Sequence, residues 1–351
     1  MEGLDGGEVA RSAERCSRRI GGNDEEMDLN GRRIFLAGGT GLAGAGIIES
    51  LLEQYPYTKI RASYHLTKPF LYDKLIEYVQ ADLRSPEDCR RMAAGCDFAV
   101  MAAAMTGGAK TVRAEPWQQV TDNTIMDARI LQACRLERVR RVVFVSTASV
   151  YQEFQGFIRE DELDWNQDPP SAYFGVGWAK RYVEKLCRFW YEKAGMEILI
   201  ARAANLYGPF AKFEPAVSHF IPALIRKAVD RMDPFEVWGD PAVTRDVIFT
   251  EDFGRAIVRM LDREDLKFDT FNVESGIRTT VGEVVECALK IAGHRPGRIA
   301  YRADGPTTIR FRALDCSRAR TVLDWEPRYS LEEGIRRTAG WWVENRSWWT
   351  K

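Results

Sequence analysis

Residues 33–54, RIFLAGGTGLAGAGIIESLLEQ, narrow the possible folds more than any other stretch. Ile34 to Ala37 form a short apolar run of strand length. Gly38, Gly41 and Gly44 follow at G-x-x-G-x-x-G spacing, and then Ile47, Ile48, Leu51 and Leu52 recur with helical period. Strand, glycine turn and helix in that order make a phosphate cradle. The glycines permit a tight turn, a close backbone approach and a helix packed against its strand. The helix start offers free N–H groups and the positive end of a dipole to a pyrophosphate. Gly38, Thr40, Gly41, Leu42 and Gly44 are therefore the expected dinucleotide-binding positions.

The rhythm continues along the chain. KIRASYH (59–65), DFAVMAAA (97–104), RVVFVSTASVY (141–151) and MEILIARAANLYGP (196–209) read as strands. YVQADL brings Asp82 and Leu83 to another strand end, where an Asp can meet an adenine ring. Helical patterns such as NTIMDARILQACRLE, from Asn123, fill the gaps. Strands alternating with helices predict an α/β fold with a doubly wound parallel sheet of the Rossmann type and right-handed crossovers. Ligands then bind at the carboxyl ends of the strands.

Bulk properties remove several classes of function. Net charge is −1 over 351 residues, so no global field recruits nucleic acid or an acidic membrane. The longest apolar run, FAVMAAAM from Phe98, is too short to span a bilayer. Seven cysteines lie scattered without a CxxC pair, which predicts free thiols, no metal site and a cytoplasmic location. Residues 1–30 carry many glycines and charges of both signs, and read as a disordered tail.

Several motifs, in order, resemble the extended short-chain dehydrogenases that act on nucleotide sugars, and GDP-L-fucose synthase in particular. AAAMTGG (102–108) is similar to that family's AAAKVGG. NLYGP (205–209) has an identical counterpart, and SHFIPALIRK (218–227) resembles SHVIPALLRR. The spacing from Trp238 to Arg245 is shared, and ADG (303–305) and WWVEN (341–345) have counterparts. The resemblance implies a nicotinamide cofactor, a nucleotide-diphosphate sugar (a GDP-sugar first) and a smaller C-terminal substrate-binding domain. The boundaries it implies are 31–205 with about 246–275 for the cofactor domain, and 206–245 with 276–351 for the other.

Site residues carry over by motif. Thr147 matches the hydroxyl that bonds the sugar C4 oxygen, and Lys180 the lysine that holds the nicotinamide ribose. His219 and Ser149 match the two residues of the epimerisation pair. His65, Asp82, Leu83, Ala102, Ala103, Asn205 and Leu206 match cofactor positions. Thr106, Asn205, Lys227, Trp238, Arg245 and Asp304 match substrate positions. A guanidinium suits a diphosphate, which makes Arg245 its expected partner.

Two departures matter. Ser149 stands where the family has Cys, and a serine hydroxyl is a poor acid without an activating base. Val176 stands where the family has the tyrosine that trades a proton with the C4 oxygen. Loss of such a group costs about 10²–10⁴-fold in rate. Tyr173 lies seven residues before Lys180, about 10 Å along a continuous helix at 1.5 Å per residue, too far for the usual relay unless the helix starts later. Thr147 with a water, or His219, are the other candidate substitutes. A catalytically impaired protein that binds dinucleotide and sugar nucleotide is the alternative reading. At the end of the second strand Ser63, Tyr64 and His65 offer neither the acid that favours NAD nor the arginine that favours NADP, and Thr40 replaces a loop arginine; the balance leans to NAD. The resemblance also implies that the helices around 122–137 and 176–194 pair across a two-fold in a homodimer, and Ile125, Ile130, Leu131, Val183 and Leu186 are the apolar positions available for that contact.

Overall fold

The computed structural model describes residues 26–106, 116–215, 217–302 and 313–348. One parallel sheet holds β1 (Arg33–Ala37), β2 (Lys59–Tyr64), β3 (Ile76–Gln80), β4 (Phe98–Met101), β5 (Arg141–Thr147), β6 (Glu197–Ala203) and β7 (Phe268–Asn272). Their spatial order is β7-β6-β5-β4-β1-β2-β3. Order reverses beside β1, so the crevice beyond the carboxyl ends of β1 and β4 is the natural ligand site. The helices are α1 (Leu42–Gln54), α2 (Pro86–Ala93), α3 (Pro116–Leu136), α4 (Phe174–Ala194), α5 (Phe220–Val229), α6 (Thr250–Asp262), α7 (Val281–Ala292), α8 (Ser317–Leu323) and α9 (Leu331–Asn345).

Alternation along the strands builds two apolar layers. Ile34 and Leu36 join Ile47, Ile48 and Leu51 of α1 and Phe253 and Ile257 of α6 on one face. Phe35 and Ala37 join Met92 of α2, Ile130 and Leu131 of α3 and Val183 of α4 on the other. This corrects the expected dimer face. Ile130, Leu131 and Val183 are buried against this chain's own sheet, and Leu186 packs on the same core. Only Ile125 of the five remains exposed.

A second, smaller core gathers α5, α7 and α9 through Leu224, Ile225, Val284, Val285, Ile335 and Trp342. Phe213 stacks on Trp342 with ring centroids 4.4 Å apart, and Phe210 lies 5.0 Å from Trp341. The architecture is thus a Rossmann-type sheet with a smaller C-terminal unit.

Three sequence expectations need adjustment. The tail read as residues 1–30 is too long: Met27 and Leu29 are buried, and the Met27 N–H donates to the Asp262 carbonyl at 2.6 Å. Two apolar residues suffice to dock this segment at the end of α6. Segment 196–209 is not one strand; Asn205–Tyr207 leaves the sheet and pairs with Val247–Phe249. Segment 141–151 turns at Thr147 into a 3₁₀ turn, Ala148–Val150.

A buried polar network fixes this turning point. Arg202 Nη2 donates to Glu184 Oε2 at 2.8 Å and its Nε to Oε1 at 3.1 Å. The Ser146 hydroxyl donates to Glu184 Oε1 at 2.6 Å. The Tyr151 hydroxyl accepts from Arg202 at 2.9 Å and donates to Asn272 at 2.6 Å. Strands β5, β6 and β7 and helix α4 are joined in one satisfied cluster.

Helix α1 carries a titrating group against α6. Burial, and then the neighbouring Glu251 charge, push Glu49 up to about 7 from 4.5, and one of its oxygens is buried without a hydrogen bond. A carboxyl raised on folding stabilises the fold fully below its unfolded pKa and loses that contribution as pH rises through the folded value. Glu49→Gln should therefore match the wild type in urea unfolding near pH 4.5 and be the more stable protein at pH 8. A difference independent of pH would contradict this placement of the charge.

Candidate active site

The glycine loop is shaped by what it touches. Gly38 adopts φ 85°, a left-handed conformation, and a Cβ there would lie 2.7 Å from the Ala103 backbone. Its N–H donates to the Ser63 hydroxyl at 2.9 Å, and the Gly39 N–H to the Ser63 carbonyl at 2.9 Å. Ser63 is thus spent inside the fold. Gly41 is exposed and immediately precedes α1; no side chain caps the helix and no acidic residue sits in its first turn. A Cβ on Gly41 would meet nothing nearer than the Gly38 carbonyl oxygen, at 3.4 Å. Open space before an uncapped helix start fits the pyrophosphate of a dinucleotide.

The walls of the crevice follow. After β4, residues 102–106 run beside the loop, and Asn123 of α3 holds them: its Oδ1 accepts from the Met105 N–H at 2.7 Å, and its Nδ2 donates to the Met105 carbonyl at 3.2 Å. On the far side Asp82 is already engaged. Arg84 donates to it at 2.8 Å and holds its carboxyl near 2, so this edge of the crevice carries an ion pair. His65 is exposed at the end of β2, close enough for its charge to act on Asp82. Leu83 is buried.

Thr147 ends β5. Its hydroxyl accepts from the Ser149 N–H at 3.1 Å and donates to the Ser149 hydroxyl at 3.3 Å. Helix α4 lies directly on this turn, because Gly177 lets it: a Cβ there would sit 2.5 Å from the Ser149 carbonyl oxygen. The helix is continuous from Phe174, so Val176 and Lys180 lie one turn apart on one face. Tyr173 is outside it, in a 3₁₀ turn that precedes the first helical residue. The phenol lies near Arg245, whose guanidinium is desolvated by burial.

Lys180 is buried, and its Nζ donates to Asp127 Oδ2 at 2.9 Å, with the Phe144 ring 4.5 Å away. Burial raises the Asp127 pKa, and the lysine charge opposes that. Sequence reasoning passed over Asp127. The signal was there: Asn123 and Asp127 are four residues apart on a helix whose neighbouring positions, Met126 and Ile130, are buried and apolar.

His219 stands just before the first residue of α5, exposed, and its side chain makes no capping hydrogen bond. Crowding by protein, and then the Lys212 ammonium, hold its pKa below the ordinary histidine value. Asn205 and Leu206 lie on the short strand that bridges the two cores, with Asn205 Nδ2 donating to the Asp246 carbonyl at 2.7 Å. Arg245 donates to the Thr244 carbonyl at 2.8 Å. Lys227 donates to the Glu236 carbonyl at 2.8 Å, 5.9 Å from the Trp238 ring. Trp238 is 58% exposed, which takes it out of the core. Asp304, and Gly107 and Gly108 of the AAAMTGG motif, lie outside the described residues.

Gly41→Val should weaken dinucleotide binding by about tenfold or more, because a branched side chain would occupy the space a phosphate needs. The circular dichroism spectrum should not change, since the site is open in the free protein. Equal affinity by calorimetry would reduce the loop to a turn.

Comparison with known proteins agrees with this geometry. The model of the NAD dependent epimerase/dehydratase family matches residues 34–273. The GDP-mannose 3,5-epimerase of Arabidopsis thaliana is 27% identical over 318 residues, covering 88% of this chain and 81% of that protein. The GDP-L-fucose synthase 1 of the same plant is 26% identical over 336 residues, covering 93% and 98%. The crystal structure of UDP-glucuronic acid 4-epimerase from Bacillus cereus, in complex with UDP-glucuronic acid and NAD, superposes with a TM-score of 0.77 at 20% identity, covering 89% and 99%; that likeness speaks to the fold. The chain belongs to the NAD dependent epimerase/dehydratase family.

Proposed function

We propose that this protein is a nucleotide-diphosphate-sugar enzyme, an epimerase, dehydratase or reductase, working on a bound nicotinamide cofactor. The observation that carries the reading is the pairing of an uncapped, open glycine-loop helix with Thr147 and Lys180 on adjoining elements at the carboxyl edge of the sheet. The sheet unit, 31–205 with about 246–275, takes the dinucleotide, and 206–245 with 276–351 takes the sugar nucleotide. A GDP-sugar is favoured by the curated relatives, and NAD by the internal use of Ser63 and the absence of an arginine at Thr40.

The nicotinamide, when bound, supplies a hydride acceptor and donor. The chain's own residues supply the rest. The Thr147 hydroxyl holds the sugar C4 oxygen, and Lys180, fixed by Asp127, faces the ribose. Val176 can give no proton. His219, kept neutral by its surroundings, takes a proton from a carbon next to a C4 ketone. Trp238 stacks on the base, while Arg245 pairs with the diphosphate.

The test is direct. Nucleotide released from the purified protein is identified, and GDP-, UDP- and dTDP-sugars are then incubated with the enzyme in deuterated water. Deuterium in the sugar ring, or reduced cofactor, supports the reading. Tight binding of both ligands without either would make the chain a binding subunit. Val176→Tyr should place a phenol beside Lys180 and introduce or accelerate oxidoreduction at C4, by up to about 10²-fold. Thr147→Val should lower turnover by about 10²–10³-fold.

We also place the protein in the cytoplasm as a homodimer, joined through the outer faces of α3 and α4, where Ile125, Trp178, Tyr182 and Phe189 are exposed. Light scattering at micromolar concentration should give two chains, and Tyr182→Glu should give one. A monomeric wild type would remove the assembly.

A further inference from the structure

We infer that Thr250 is a positioning residue for the dinucleotide: from the start of α6 its hydroxyl holds the first peptide of α1, and so sets the N–H which that peptide offers to a pyrophosphate. The inference rests on the dinucleotide-binding part of the reading above.

Helices α1 and α6 come close because both carry glycine where they cross. A Cβ on Gly46 would lie 2.4 Å from the Thr250 hydroxyl oxygen, and one on Gly254 would lie 2.2 Å from the Gly46 carbonyl oxygen. Two hydroxyls clamp the crossing, one from each helix. The buried Ser50 of α1 donates to the Glu251 carbonyl at 3.2 Å, and the buried Thr250 of α6 donates to the Leu42 carbonyl at 2.9 Å. The two bonds act on different parts of α1. Leu42 is its first residue, beside the open space at Gly41. Ser50 stands about 12 Å further along the axis, at 1.5 Å per residue.

The Leu42 carbonyl and the Ala43 N–H belong to one peptide group and point in opposite directions along the helix axis. The Ala45 N–H is bonded to the Gly41 carbonyl at 2.9 Å, whereas Ala43 lies in the first turn, where N–H groups have no acceptor within the helix. A hydroxyl donated to the carbonyl therefore acts on the N–H at the other end of the same group. A carbonyl has two lone pairs, so this bond adds to the helix's own. It fixes the plane of the peptide. It also draws electron density toward oxygen, which strengthens the N–H as a donor. A phosphate oxygen gains from both, since hydrogen bonds to a charged acceptor are the strong ones.

Thr250 is itself held from the other side. It follows Val247–Phe249, the strand paired with Asn205–Tyr207. Its methyl fills the space beside Gly208, where a Cβ would lie 2.4 Å from Cγ2. With the methyl seated there, the hydroxyl is directed at α1. The Leu42 side chain packs on the second core, so the carbonyl that receives this bond is fixed as well.

Calorimetry on the nucleotide-free protein, with NAD and NADP as probes, tests this without turnover. Thr250→Val and Thr250→Ala have no O–H, and each should weaken binding about three- to tenfold. Thr250→Ser differs from Thr250→Ala by the hydroxyl alone and should bind like the wild type. Ser50→Ala removes the other clamp and should lower the urea midpoint while leaving the affinity unchanged. In the free protein the Ala43 amide nitrogen resonance should move upfield in Thr250→Val and stay in Ser50→Ala. Wild-type affinity in Thr250→Val and Thr250→Ala, or affinities that simply follow the urea midpoints across the four variants, overturns the role of Thr250 and leaves its hydroxyl a packing feature. A wild type that takes up neither dinucleotide overturns the reading on which the inference rests.

Discussion

The ion pair between Glu184 and Arg202 is the constraint on which the crevice depends. Both side chains are almost wholly buried, at 3% and 4% exposure. Two charges taken out of water are costly, and their attraction offsets that cost only when the remaining donors and acceptors are filled. Here Ser146, Tyr151 and the Glu160 carbonyl fill them. Removing one partner of such a pair typically costs about 3–5 kcal/mol. Each member of the network neighbours a candidate site residue: Ser146 precedes Thr147, Glu184 lies one turn from Lys180, and Arg202 is the last residue but one of the strand that leads to Asn205. The network therefore sets where the hydroxyl, the amine and the amide stand relative to one another.

The Lys180–Asp127 pair changes how the missing tyrosine is understood. Where a phenol sits beside the lysine, the amine's charge is available to the phenolate. In this chain the amine is held by the buried Asp127 carboxyl group at 2.9 Å. Val176 has no proton to give, and the amine one turn further along α4 is engaged with Asp127.

How far the sequence revealed this depended on range. The glycine spacing, the alternation in β1 and the helical period of α1 are local, and they were legible as strand, turn and helix. The parallel sheet followed from their repetition. What remained hidden was set by contacts distant in sequence. Ile130, Leu131 and Val183 look the same whether a helix face meets its own sheet or a second copy, and only the packing shows that they turn inward. Asp127 is an ordinary helix acid until α4 brings Lys180 against it. Met27 and Leu29 are too few to mark a structured segment, yet the end of α6 provides them a seat. The break at Ala204 arises because Glu274, seventy residues on, accepts its N–H and turns the chain out of the sheet.

The stacking of Phe213 on Trp342 and the approach of Phe210 to Trp341 have a wider meaning for the molecule. Both phenylalanines flank Lys212, on the strap that carries His219, and both indoles belong to the last helix. That helix acts as a splint, so the placing of the strap depends on a segment far from it in sequence. Chains still missing α9 would carry an assembled glycine loop beside an unsupported strap, and substitutions on the inner face of α9 would be felt at the strap as well as in the helix itself.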